Sequence, residues 1–170
     1  KVCPSTYSIC KMEGSCQIER KGLIYSYNYR DSSPGYPVFM DITDDECIFG
    51  FGVQNICLDP FYSVAADMSF HKPGDVIYLP KIDGLMLPSG RLHNGFLIVR
   101  DRGGAIKGQH RFDFFTGGYK FEDPINPFSR IGLGNKNTKF EYYKIKAAVA
   151  PPYQKVRNFP GLLSHGQLEF

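Results

Sequence analysis

The chain has no tryptophan, no long apolar run and no large excess of charge of either sign. Without an apolar stretch near the ~20 residues that span a bilayer, it holds no membrane-crossing helix. Its net charge of +3 is small and scattered, whereas nucleic-acid binding needs a basic stripe or patch. Metal-ligand spacings are missing as well. Cys3, Cys10 and Cys16 form no C-x-x-C pair and have no histidine nearby, which argues against zinc. The acidic cluster Asp41, Asp44, Asp45 and Glu46 lacks the ligand order of a calcium loop and reads as a solvated turn. Gly103 to Gly108 does not have phosphate-loop spacing. No nucleophile elbow accompanies Ser63, His93 or His110, so a serine triad is disfavoured. These absences leave a protein expected to need no metal and no cofactor.

What is present is aromatic and rich in turns. Fourteen Phe and 11 Tyr favour strands, while 18 Gly and 12 Pro break the chain often. Exposed aromatic rings also suit stacking on sugars. A length of 170 residues fits one domain that buries roughly 70% of its unfolded surface. Five cysteines, three of them in the first 16 residues, point to disulfides and an exported protein. An odd count leaves one thiol free or pairing between chains. Cys47 and Cys57 bracket a hairpin-like segment and are a candidate pair, although sequence does not fix the connectivity. Beginning at Lys1 rather than Met, the chain reads as a processed or truncated product.

Along the chain, residues 1–21 read as a cysteine-bearing arm with no clear period. Gly22 to Tyr29 predicts a strand with Leu23, Tyr25, Tyr27 and Tyr29 on one face. A turn at Asp31 to Gly35 leads to a second strand, Tyr36 to Ile42. Phe61 to Phe70 is ambiguous between helix and strand. Further strands are expected at Val76 to Leu79, Phe96 to Val99, Arg111 to Phe115 and Phe140 to Val149. Residues 151–170 read as a tail. Short strands with almost no helical period place the chain in the mainly β class, as a small closed barrel.

The densest chemistry lies in one stretch. Phe96 to Val99 leads into Asp101, followed by Gly103-Gly104-Ala105-Ile106-Lys107-Gly108, and then Phe112-Asp113-Phe114-Phe115. Adjacent glycines supply positive φ and close backbone approach. Asp113 leaves its strand opposite Phe112 and Phe114. Two carboxylates at the ends of neighbouring strands, joined by a glycine loop, have the makings of an acid–base site.

That string, with Leu58-Asp59-Pro60 upstream and Gly74 to Pro80 between, resembles the three-aspartate (3D) domain of the membrane-bound lytic transglycosylase A family. The resemblance runs from Asp59 to about Gly118. It implies a six-stranded double-psi β-barrel with little helix, occupying residues 22–150. It also implies cleavage of the β-1,4 bond between N-acetylmuramic acid and N-acetylglucosamine in peptidoglycan glycan strands. The muramic O6 attacks its own anomeric carbon, leaving a 1,6-anhydro end. By resemblance Asp113 is the general acid and then base, with Asp101 and Asp59 supporting. Gly103, Gly104, Lys107, Gly108 and His93 are the expected substrate contacts. For Asp113 to act as an acid at neutral pH its pKa must be raised. Burial beside Phe112, Phe114 and Phe115 and the charge of Asp101 are the expected causes. Placed near Asp113, Lys107 would oppose that, so it is expected to point along the groove or pack structurally.

The implied location is bacterial and exported: periplasmic, outer-membrane-associated or secreted. Arg102 stands where the family commonly has Thr. Tyr119 to Pro127 replaces a segment rich in alanine and glycine, and the chain is too short for the family's full inserted β domain. A non-catalytic glycan-binding or wall-loosening module on the same barrel is the competing expectation.

Overall fold

A computed structural model describes residues 2–32, 35, 37–135 and 140–146. The expected tail, 151–170, lies outside the described residues, as does the end of the last expected strand. The chain divides into two compact units, Lys1–Leu58 and Asp59–Phe170. It is mainly β, with few helices. Among the described residues no helix is long and apolar enough to cross a membrane.

The first unit corrects the reading of residues 1–21 as an irregular arm. Helix α1, Pro4–Glu13, is followed by strand β1, Ser15–Arg20. Proline stands in the first turn of α1, where its missing N–H is harmless, and Gly14 closes the helix in the left-handed region at φ 78. Strands β2, Leu23–Ser32, and β3, Pro37–Asp41, complete an antiparallel meander in the order β1-β2-β3. Lys21 and Gly22, both at positive φ, form the two-residue connection between β1 and β2. Disulfides join Cys10 to Cys16 and Cys47 to Cys57, the second being the pair that the hairpin-like spacing marked out.

The buried face of β2 is not the one with the apolar alternation. Ser26 and Asn28 are buried at 1% and 9% exposure, whereas Leu23 is 61% exposed. Backbone capture explains the inversion. Asn28 Oδ1 accepts from Phe51 N–H, and Ser26 N–H donates to Thr43 Oγ1, so the strand's polar side chains and backbone organise the segment beyond β3. The acidic cluster does turn work. Asp41 accepts from Thr43 N–H, and Asp45 from Cys47 N–H.

Cys3 is exposed and outside any disulfide. Hydrogen bonds from the Ser5 and Thr6 hydroxyls lower its thiol pKa to about 7. Native protein treated with iodoacetamide should therefore be alkylated at one cysteine, with a rate midpoint near pH 7 rather than the ~8.5 of a free thiol. A midpoint at the free-thiol value would contradict this environment.

In the second unit the strands are β4, Ser63–Ala66; β5, Val76–Tyr78; β6, Phe96–Asp101; β7, Phe112–Phe114; and β8, Tyr143–Lys144. They form one sheet in the order β7-β4-β6-β5-β8. β4 and β6 run parallel, and the other neighbours are antiparallel. The ambiguous segment Phe61 to Phe70 thus contributes a short strand, and helix α2, Pro127–Arg130, follows β7. Leu97, Ile98 and Val99 are almost completely buried, so β6 is covered on both faces, as its unbroken apolar run requires. Val64, Ala66, Val76, Ile77 and Leu79 pack with it.

Two sheets of three and five strands, with no closed barrel among the described residues, replace the single barrel expected from the turn pattern. Among the described residues β1, β2 and β3 make one sheet, and the five-stranded sheet ends at the very short β7 and β8.

Candidate active site

β4 lies between β6 and β7, and one small residue on it organises the site. Ala65 is opposite Asp101 of β6 and also opposite Asp113 of β7. Directly opposed residues project from the same face of a sheet. The two carboxylates therefore stand on one side, about 10 Å apart at their Cα atoms (two strand spacings), with only a methyl group between them. Asp113 is exposed while its neighbour Phe112 is 2% exposed, the alternation a strand dictates.

The burial expected for Asp113 is not found, because Phe112 and Phe114 leave the other face of β7. Burial falls on Asp101 instead. Desolvation raises the Asp101 pKa; the Arg102 backbone N–H and guanidinium oppose that rise, and the charge of Asp113 adds to it. The net direction is upward, so Asp101 holds its proton more tightly than an ordinary aspartate.

Asp101 reaches Ala65 by an irregularity. Val64 pairs with Val99, and Ala65 then pairs with Asp101, so Arg100 is the extra residue of a bulge. Arg100 is fully buried; its Nη1 donates to Asp59 Oδ2 at 2.5 Å and to Ser63 Oγ at 3.0 Å. Asp59, expected beside the other two aspartates, is thus a buried ion-pair partner at the entry to β4.

The glycine loop is fastened from outside itself. Asp67, just beyond β4, accepts from Gly108 N–H at 2.8 Å and from Ser69 N–H at 3.0 Å, and these bonds hold its pKa below the ordinary value. Lys107 is exposed and its charge acts on Asp67 in the same direction. His71 Nε2 and the Tyr142 hydroxyl both donate to the Gln109 carbonyl, at 3.0 and 3.1 Å. Of the three loop glycines only Gly108 takes positive φ, at 100°. Gly103 is required for a different reason: a Cβ there would come within 2.6 Å of Ile106 Cδ1. A Cβ on Gly104 would meet nothing within 4 Å, so the fold does not demand glycine at that position.

His93, expected as a substrate contact, belongs to the core at 1% exposure. Its Nδ1 accepts from Gly95 N–H, so Nε2 carries the hydrogen and donates to the Phe61 carbonyl, while the ring stacks on Tyr62. Both nitrogens are engaged, and burial lowers its pKa to about 4. Neutral in the folded state, His93 gains a proton on unfolding below about pH 6.5. Stability from this residue is therefore complete above pH 6.5 and is lost as pH falls toward 4, by up to about 3 kcal/mol. Urea unfolding at pH 7 and pH 4.5 should show a larger loss in the native protein than in His93→Gln. Equal losses would contradict the burial of a neutral ring.

Residues 62–123 match the family model of the 3D domain. The chain carries a 3D domain. Asp67, Asp101 and Asp113 lie within the matched segment and Asp59 lies before it. Asp67 and Arg100 were missed in the sequence. The signal for Asp67 was present, since it follows the apolar run Val64-Ala65-Ala66 as Asp59 follows Leu58, but Pro60 favoured the earlier position.

Comparison with curated proteins finds no match. Among solved structures, the 3D-domain chain is similar to MltA from Neisseria gonorrhoeae, at 18% identity and TM-score 0.49 over 67% of this chain and 40% of that one. E. coli MltA with bound chitohexaose gives 17% identity and TM-score 0.44 over 64% of this chain and 46% of that one. A membrane-bound lytic murein transglycosylase from Agrobacterium tumefaciens gives 16% and 0.46 over 68% and 44%. The chain spans less than half the length of each of these three.

Proposed function

We propose that the protein is an exported peptidoglycan lytic transglycosylase in which Asp113 is the general acid and then the base. One observation carries this reading: Asp101 and Asp113 flank Ala65 on a single sheet face, and Asp113 is the exposed member of the pair. Only an exposed carboxyl can meet a glycosidic oxygen. Asp101 supports it: burial raises the Asp101 carboxyl above the ordinary aspartate range, and the charge of Asp113 adds to that rise.

Asp113 delivers a proton to the leaving oxygen as the bond to the muramic anomeric carbon breaks. The muramic O6 then bonds to that carbon, and its proton passes to Asp113. No water is consumed, so a second catalytic nucleophile is unnecessary. Gly104, open to solvent and free of any steric need for glycine, gives the sugar room to approach the loop backbone. Gly103, Lys107 and Gly108 complete the loop that would face it. Two disulfides support export. The parallel pairing of β4 with β6, with β5 on the far side of β6, is compatible with the implied double-psi barrel.

Digestion of purified peptidoglycan, with the muropeptides weighed, tests the reading. Products ending in anhydro sugars, lighter by one water than hydrolysis products, are expected. Hydrated ends would make the protein a hydrolase. An unchanged wall that still captures the protein would identify a glycan-binding module instead.

A further inference from the structure

We propose that Arg100 is a positioning residue, pinning the β6 bulge that sets Asp101 opposite Ala65 and so on the same face as Asp113. This inference rests on the carboxylate pair proposed above.

Unbroken pairing after Val64 and Val99 would put Arg100 opposite Ala65, and Asp101 one position further along. A shift of one residue reverses the face on which a strand side chain stands. Asp101 would then be directed away from Asp113. The bulge inserts the one residue that prevents this, and the residue inserted is a fully buried cation.

Two of its hydrogen bonds explain why the bulge stays at this position. Nη1 reaches Asp59 Oδ2 and Ser63 Oγ. Those two residues are themselves joined, since Asp59 N–H donates to Ser63 Oγ and Ser63 N–H to the Asp59 carbonyl. Arg100 therefore ties β6 to a closed turn, Asp59 to Ser63, that ends two residues before Ala65.

Stability alone is a poor reason for such a pair, because well-packed apolar side chains commonly replace a buried ion pair at no cost. A directional guanidinium, however, selects one register where an apolar side chain accepts several.

The test is a cycle of carboxyl titrations followed by carbon-13 NMR, which needs no turnover. In the native background, Asp113→Asn should lower the Asp101 midpoint, because a like charge is removed. In Asp59→Leu/Arg100→Met, folded and with the ion pair replaced as a unit, the same substitution should shift Asp101 by less than half as much. On peptidoglycan, kcat for that double variant should fall at least about tenfold with KM nearly unchanged, as misplacement of a carboxylate that supports the acid predicts.

If the double variant does not fold, Ser63→Ala carries the same cycle. It keeps the charge pair but removes the hydroxyl that accepts from Arg100 Nη1 and from Asp59 N–H, and the Asp113→Asn shift should again be reduced. An unchanged shift in whichever variant folds overturns the proposal. Failure of the enzymatic reading shows up separately, as a native protein that digests nothing while the titration cycle behaves as described.

Discussion

Asp113→Asn should slow release of anhydro muropeptides from purified peptidoglycan by about 10²–10⁴-fold, the range that positioned proton transfer supplies. Asparagine keeps the shape and one acceptor but has no proton to give or take. Because Asp113 is exposed at the edge strand β7 and its neighbours Phe112 and Phe114 pack on the opposite face, the fold should not register the change. Thermal unfolding should coincide with that of the native protein, and capture by the intact wall should persist. Asp101→Asn should behave differently. Burial holds its carboxyl above the ordinary aspartate range, so its loss should move the pH profile of digestion as well as reduce the rate. Equal activity of Asp113→Asn and the native protein would remove the proposed acid.

Arg100→Met alone should be the most destabilising single change in the site. It leaves Asp59 buried at 8% exposure without its cation, a loss of about 3–5 kcal/mol. Against a total stability of about 5–15 kcal/mol, that is enough to depopulate the folded state. Adding Asp59→Leu should recover most of the loss, because the stranded charge goes too. Urea unfolding of the native, single and double variants measures both steps. A single variant as stable as the native protein would show that the ion pair contributes nothing at this position.

Much of the second unit was legible because its signals were local. An unbroken apolar run predicted β6 at Phe96 to Val99, and the alternation around Phe112 placed Asp113 on the far side of its strand from the core. The glycine string marked the loop. Partnerships were harder to read, because they join residues distant in sequence. Nothing near Arg100 shows that it will reach back to Asp59, and a bulge is a property of two strands together. His93 sits among polar residues and reads as exposed, yet it stacks on Tyr62 and bonds to the Phe61 carbonyl. Asp67 lay inside the segment read as either helix or strand, and its work is to hold Gly108, far along the chain.

The first unit failed for a different reason. Its cysteines drew attention from ordinary helix punctuation, a proline at the start of α1 and Gly14 at its end. In β2 the apolar alternation gave the wrong face, because buried Asn28 accepts from a backbone N–H outside the sheet, and the buried Ser26 hydroxyl accepts from Gln17 of β1.

The account turns on Asp101 and Asp113 sharing one face of the sheet across Ala65. A site-resolved titration of the Asp101 carboxyl in the native protein tests this most directly. The geometry predicts a midpoint above the ~3.9 of an unperturbed aspartate, and a downward shift when Asp113 is made asparagine. A midpoint at or below that value, indifferent to the residue at 113, would contradict it.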